Sequence, residues 1–88
     1  MTYVIFYSPE VLDEISKLPS SIKSKLKSAI EKKLTRDPLA FGKPLRYSLK
    51  GARRLRVDDY RVIYKVSESE RKVIIIQIGH RREVYGSN

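Results

Sequence analysis

Arg53-Arg54-Leu55-Arg56-Val57-Asp58-Asp59-Tyr60-Arg61-Val62-Ile63-Tyr64-Lys65 is the stretch of this 88-residue chain whose reading decides the fold. Two β-branched and aromatic runs flank an Asp-Asp pair, the composition of a hairpin with a two-residue turn. That turn sets Val57 opposite Tyr60, Arg56 opposite Arg61 and Arg54 opposite Ile63. Side chains alternate between the faces of a strand, so Arg54, Arg56, Arg61 and Lys65 share one face. Leu55, Val57, Val62, Tyr64 and Val66 take the other. Like charges directly opposite each other repel, so a face built this way suits an anionic partner.

Working outward, Lys72 to Ile78 reads as a further strand, and Leu45 to Leu49 as one preceding the hairpin. If Ile74, Ile76 and Ile78 face the core, Gln77 and Arg81 point to the arginine side. Residues 2 to 7 are another strand. Ser8 then caps a helix with Pro9 at its first position, and Val11, Leu12, Ile15 and Leu18 recur at helical spacing. Pro19 breaks that helix. A second runs from about Ser21 to Thr35, with Ile22, Leu26, Ala29, Ile30 and Leu34 on one stripe and lysines elsewhere. Arg36 to Pro44 is turn chemistry, with Leu39 and Phe41 expected to pin the loop to the core. The order β-α-α-β-β-β-β predicts an α+β fold, its N-terminal strand and helical hairpin packed on one face of a mainly antiparallel sheet. Residues 1–88 are expected to form a single domain.

Nineteen Lys and Arg against ten Asp and Glu give a formal net charge of +9. That balance points to phosphate or to an acidic protein. With no cysteine and one histidine, thiolate metal sites are excluded, and no metal or other cofactor is expected. The absence of cysteine fits a reducing, cytoplasmic setting. Neither the apolar start nor Val73 to Ile78 is long enough to cross a membrane. No Gly-rich phosphate loop, metal-binding His-Glu motif or nucleophile elbow occurs.

Candidate site residues therefore come from the cationic face and from Gly79-His80-Arg81-Arg82-Glu83-Val84-Tyr85. Clustered guanidiniums suit phosphate because each forks two oxygens and stays charged. The alternative is pairing with Asp58, Asp59, Glu68, Glu70 or Glu83, worth only about 0–1 kcal/mol per surface pair. His80 is either an acid or base or a structural histidine turned toward the core. Tyr85 stacks on a base, donates to a phosphate or closes the core edge. RNA cleavage needs little more than such a cluster, because the 2′-hydroxyl is itself the nucleophile.

Pro44-Leu45-Arg46, Leu49-Lys50-Gly51, Arg54-Leu55-Arg56-Val57, Asp59-Tyr60-Arg61-Val62-Ile63-Tyr64 and Ile78-Gly79-His80-Arg81-Arg82-Glu83-Val84-Tyr85 together resemble the RelE/ParE toxins of bacterial and archaeal toxin-antitoxin systems. The resemblance implies a RelE-like microbial ribonuclease-type fold and a ribosome-dependent endoribonuclease that cuts mRNA in the A site without a metal, inhibiting translation. It implies Arg54, Arg61, Arg81 and Tyr85 as catalytic residues, with Arg56, Lys50, Lys65, His80 and Arg82 binding substrate. Where RelE carries two lysines on the third segment, this chain has Ala52 and Arg54, and arginine is a poor general base. Lys50, Lys65, His80 and Tyr85 are the candidates for that base. The implied partners are a cognate antitoxin, the ribosome and mRNA, with no membrane, and operator DNA for the toxin-antitoxin complex. ParE-like members instead poison DNA gyrase on the same fold, and a non-catalytic nucleic-acid binder is a third reading.

Overall fold

The computed structural model describes residues 2–45 and 51–80. Its elements are β1 (Val4–Tyr7), α1 (Pro9–Ser16), α2 (Ser20–Ala29) continued by a π-helical turn (Ile30–Leu34), α3 (Pro38–Phe41), β2 (Lys43–Pro44), β3 (Arg53–Val57), β4 (Tyr60–Ser67) and β5 (Lys72–His80). They form one five-stranded sheet in the order β1-β5-β4-β3-β2. β1 runs parallel to β5, and every other neighbouring pair is antiparallel. This is the expected α+β arrangement with a mixed sheet.

Local chemistry explains the helices. The Ser8 hydroxyl accepts the Val11 N–H at 3.2 Å, filling one orphan donor of the first turn. Pro9 occupies the position where no amide is needed, and Pro19 separates α1 from α2. Val11, Leu26, Ile30 and Leu34 then pack on Leu55, Val62, Tyr64, Val73, Ile75 and Ile78 from the sheet. Each such side chain contributes on the order of 1.5–3 kcal/mol by leaving water. None of the described helices is long and apolar enough to cross a membrane.

Three expectations are corrected. The strand expected at Leu45 to Leu49 begins earlier, at Lys43, and the Leu45 N–H extends its pairing to the Ala52 carbonyl. The rest of that segment, 46–50, lies outside the described residues.

The second correction concerns β5. Ile63 pairs with Gln77 but Tyr64 pairs with Ile75, which leaves Ile76 as an extra residue. Such a bulge reverses the alternation along the strand. Val73, Ile75 and Ile78 are buried against the helices, whereas Ile76 packs with Ile63, Ala52 and Leu45 on the opposite face. Of the three isoleucines expected inward, only Ile78 is.

The third is the loop before β2. Leu39 and Phe41 are not its anchors, being 41% and 50% exposed. Pro38 is buried instead, and its carbonyl accepts the Tyr64 hydroxyl at 2.6 Å. Arg53 donates through Nη2 to the Leu39 and Gly42 carbonyls at 2.6 and 2.7 Å. Two polar side chains from the sheet therefore hold the loop by its backbone. Gly42 is required for this close approach, since a Cβ there would lie 1.7 Å from the Tyr64 oxygen.

Candidate nucleic-acid interface

The β3–β4 hairpin forms in the expected register. Val57 faces Tyr60, Arg56 faces Arg61 and Arg54 faces Ile63 across a two-residue turn. Asp58 makes this possible by adopting a left-handed conformation, φ 54°, which aspartate tolerates better than most residues. Arg54, Arg56 and Arg61 consequently share the face turned away from the helices. Lys65 lies on it too, about 13 Å further along β4 at ~3.3 Å per residue.

Their environments differ. Arg56 is exposed and donates from Nε to the Asp58 carbonyl at 3.2 Å, across its own turn. Arg61 occupies the middle of the sheet and is only 8% exposed. Its neighbour on β5 is Gly79, which puts no side chain beside it. Arg61 Nη1 also donates to the Tyr60 carbonyl at 3.4 Å. Taking a guanidinium this far from water is costly unless its donors are satisfied. Two carboxylates that were candidates for pairing with the arginines reach lysines. Asp58 meets Lys25 at 3.0 Å and Glu70 meets Lys72 at 3.7 Å.

A residue not anticipated from the sequence joins the face. Lys43 on β2 is the direct partner of Arg54, so its side chain emerges on the same side. Starting the alternation at Gly42 rather than after Pro44 would have found it. Arg53, adjacent to Arg54, points the other way and serves the loop rather than the face.

His80 is not brought to the arginines. It pairs with Tyr60 on the helix-facing side, where the two rings meet edge to face at 5.7 Å. A recess of about 250 Å³ there is bordered by Glu14, Lys17 and Leu18 of the α1 end. Lys50, Arg81, Arg82 and Tyr85 lie outside the described residues. Among the described residues no three His, Asp or Glu side chains converge to hold a metal ion.

Burial pushes the phenols of Tyr7 and Tyr64 above their ordinary value. Glu31 adds to the effect at Tyr7, while Arg53 and the Gly42 backbone temper it at Tyr64. Neither tyrosine belongs to the cationic face. Tyr7, with Leu12, Ile15, Leu26 and Ile30, instead lines an apolar groove of about 300 Å³ between the two helices.

A small α+β unit with helices on one sheet face and arginines on the other defines a class of toxins from type II toxin-antitoxin systems. The chain belongs to the RelE/ParE toxin family: residues 5–85 match the family model described as the ParE toxin of the parDE type II system. It is similar to Toxin RelG of Mycobacterium tuberculosis, with 31% identity over 85 residues, covering 97% of this chain and 98% of that one. Toxin RelE of the same organism is 33% identical over 75 residues, covering 85% and 77%. Among solved structures, a chain of the toxin-antitoxin complex RelBE2 from M. tuberculosis superposes with a TM-score of 0.85 at 30% identity, covering 92% of this chain and all of that one. The isolated E. coli RelE toxin superposes with a TM-score of 0.74 at 26% identity, covering 96% and 92%.

Proposed function

We propose that this toxin is a ribosome-dependent mRNA endonuclease. The observation that carries the reading is the clustering of Arg54, Arg56 and Arg61 on one face, with Arg56 and Arg61 directly opposite each other. A protein gains nothing in stability from that pairing, whereas a phosphate passing through a crowded, negatively charged transition state gains a great deal. The similarity to M. tuberculosis RelE and to E. coli RelE supports the choice of RNA.

In the proposed reaction the 2′-oxygen of one nucleotide attacks the adjacent phosphorus and the bond to the 5′-oxygen breaks. A 2′,3′-cyclic phosphate and a free 5′-hydroxyl result, with one proton leaving the nucleophile and one reaching the leaving group. Arg54 and Arg61 neutralise the phosphorane, and Arg56 holds a flanking phosphate. Arg81 donates to the leaving oxygen and Tyr85 orients the base, roles carried over from the family pattern. Lys65 is the amine among the described base candidates that shares the arginine face; His80 faces the helices.

The partner that silences the toxin is a cognate antitoxin, a reading supported by the RelBE2 complex. The apolar groove between α1 and α2, edged by Lys23 and Lys27, suits an amphipathic acidic segment.

Induced expression of wild type, Arg81→Ala and Tyr85→Phe, with primer-extension mapping of cellular transcripts, tests the reading. Cuts inside translated codons that fade in both variants are expected. Growth arrest without such cuts overturns it in favour of a gyrase poison.

A further inference from the structure

Phe41 belongs to neither of the core clusters among the described residues. The chain contains two phenylalanines, and α3 exposes this one to 50% although burying it would contribute roughly 1.5–3 kcal/mol. The loop needs no help from it, because Tyr64 and Arg53 already hold the backbone on either side. What surrounds the ring is cationic. The Lys33 ammonium lies 5.8 Å from the ring centroid. Two residues along, Lys43 stands beside Arg54 on the open face. Between Lys32 and Arg56 the sequence offers a single carboxylate, Asp37.

We propose that Phe41 is a stacking platform for an unpaired RNA base, with Lys33 and Lys43 holding the phosphates on either side of it. The inference rests on the ribonuclease reading and extends it. The substrate strand crosses the arginine face and continues over the β2 edge of the sheet, so binding involves nucleotides beyond the scissile phosphate. An aromatic face between cations is the chemistry by which single strands are held without regard to sequence: the ring takes any base and the amines take the backbone. Lys33 strengthens the platform, since an ammonium over the ring leaves half of its surface open and polarises it. The run Lys33, Phe41, Lys43, Arg54 is continuous with the proposed site. That continuity favours a nucleic-acid strand over a separate protein contact at this edge.

The chain has no tryptophan, which makes Phe41→Trp a clean reporter. Binding of a short fluorescein-labelled single-stranded RNA is measured by anisotropy for wild type, Phe41→Ala, Phe41→Trp, Lys43→Ala and Arg54→Ala, with thermal melts as the folding control. Phe41→Ala is expected to bind about 5- to 150-fold more weakly, the equivalent of ~1–3 kcal/mol for one stacked base, with its salt dependence unchanged. Lys43→Ala is expected to lower the slope of log affinity against log salt by about 0.7, as a lost phosphate contact does on a single strand. Phe41→Trp is expected to retain affinity and to be quenched by RNA but not by inorganic polyphosphate. If Arg54→Ala weakens binding while Phe41→Ala matches wild type and Phe41→Trp is not quenched, the platform is overturned and the ribonuclease reading stands. A wild type that does not bind the free RNA overturns the platform, while the ribonuclease reading, being ribosome-dependent, stands or falls on the transcript mapping alone. A Phe41→Ala variant that loses its antitoxin but not its RNA makes this edge a protein interface and also overturns the proposal.

Discussion

The two halves of the open sheet face differ in kind. On the β2–β3–β4 side stand Lys43, Arg54, Arg56 and Arg61, paired strand to strand so that cation meets cation. On the β1–β5 side the same face carries Val4 and Phe6, exposed to 59% and 45%, next to Ile74. Its cation there is Lys72, whose ammonium sits 5.1 Å from the Phe6 ring centroid. Neither half is a core, yet one is cationic and the other apolar. On the proposed reading, a single sheet face therefore separates phosphate chemistry, where the hairpin turns, from an apolar patch at the edge strand.

The comparison breaks most visibly through cleavage. Arg54→Ala is expected to slow cutting of ribosome-bound mRNA by roughly 10²–10³-fold, the usual loss when one transition-state donor is removed. Phe6→Ser is expected to leave cutting intact in the same assay. If Phe6→Ser matches Arg54→Ala in cleavage, the division between the halves is wrong.

A smaller effect comes from the corner that places Lys43 beside Arg54. Gly42→Ala forces a Cβ onto the Tyr64 ring and is expected to cost about 1–3 kcal/mol. Each kcal/mol lowers the melting temperature of a domain this size by about 4–8 °C. The smallest effect is alkaline. Folding raises the phenol values of Tyr7 and Tyr64, so the neutral form is favoured in the folded state. Their contribution is complete below the unfolded value of about 10 and is lost as pH climbs through the higher folded values. Denaturant melts should be flat up to that point and then weaken, and Tyr64→Phe should reduce the alkaline decline while lowering stability at neutral pH.

The hairpin was legible in the sequence because two independent signals agree on its register: the Asp-Asp turn and the alternation of arginine with aliphatic residues. The β5 bulge left no such trace. Val73, Ile74, Ile75 and Ile76 are all apolar, so shifting the face by one residue changes nothing that composition can register. Only the burial of Val73 and Ile75, with Ile76 on the far side, reveals it. The loop misled for a different reason. Leu39 and Phe41 have the hydrophobicity of anchors, but the anchoring is done by hydrogen bonds from Tyr64 and Arg53, residues that read as ordinary members of strands. Exposed aromatics look like core until a structure shows the core already complete.

The parallel pairing of β1 with β5 has a consequence for synthesis. β1 finds its neighbour in β5, the last described strand, and no intermediate pairing substitutes for it. Contacts this distant in sequence form late and slowly. A growing chain can close the β3–β4 hairpin early, but β1 and the helical hairpin behind it stay without their seat until β5 emerges. The parallel edge of the sheet and the helices seated on it therefore wait for β5, whereas the arginine hairpin does not.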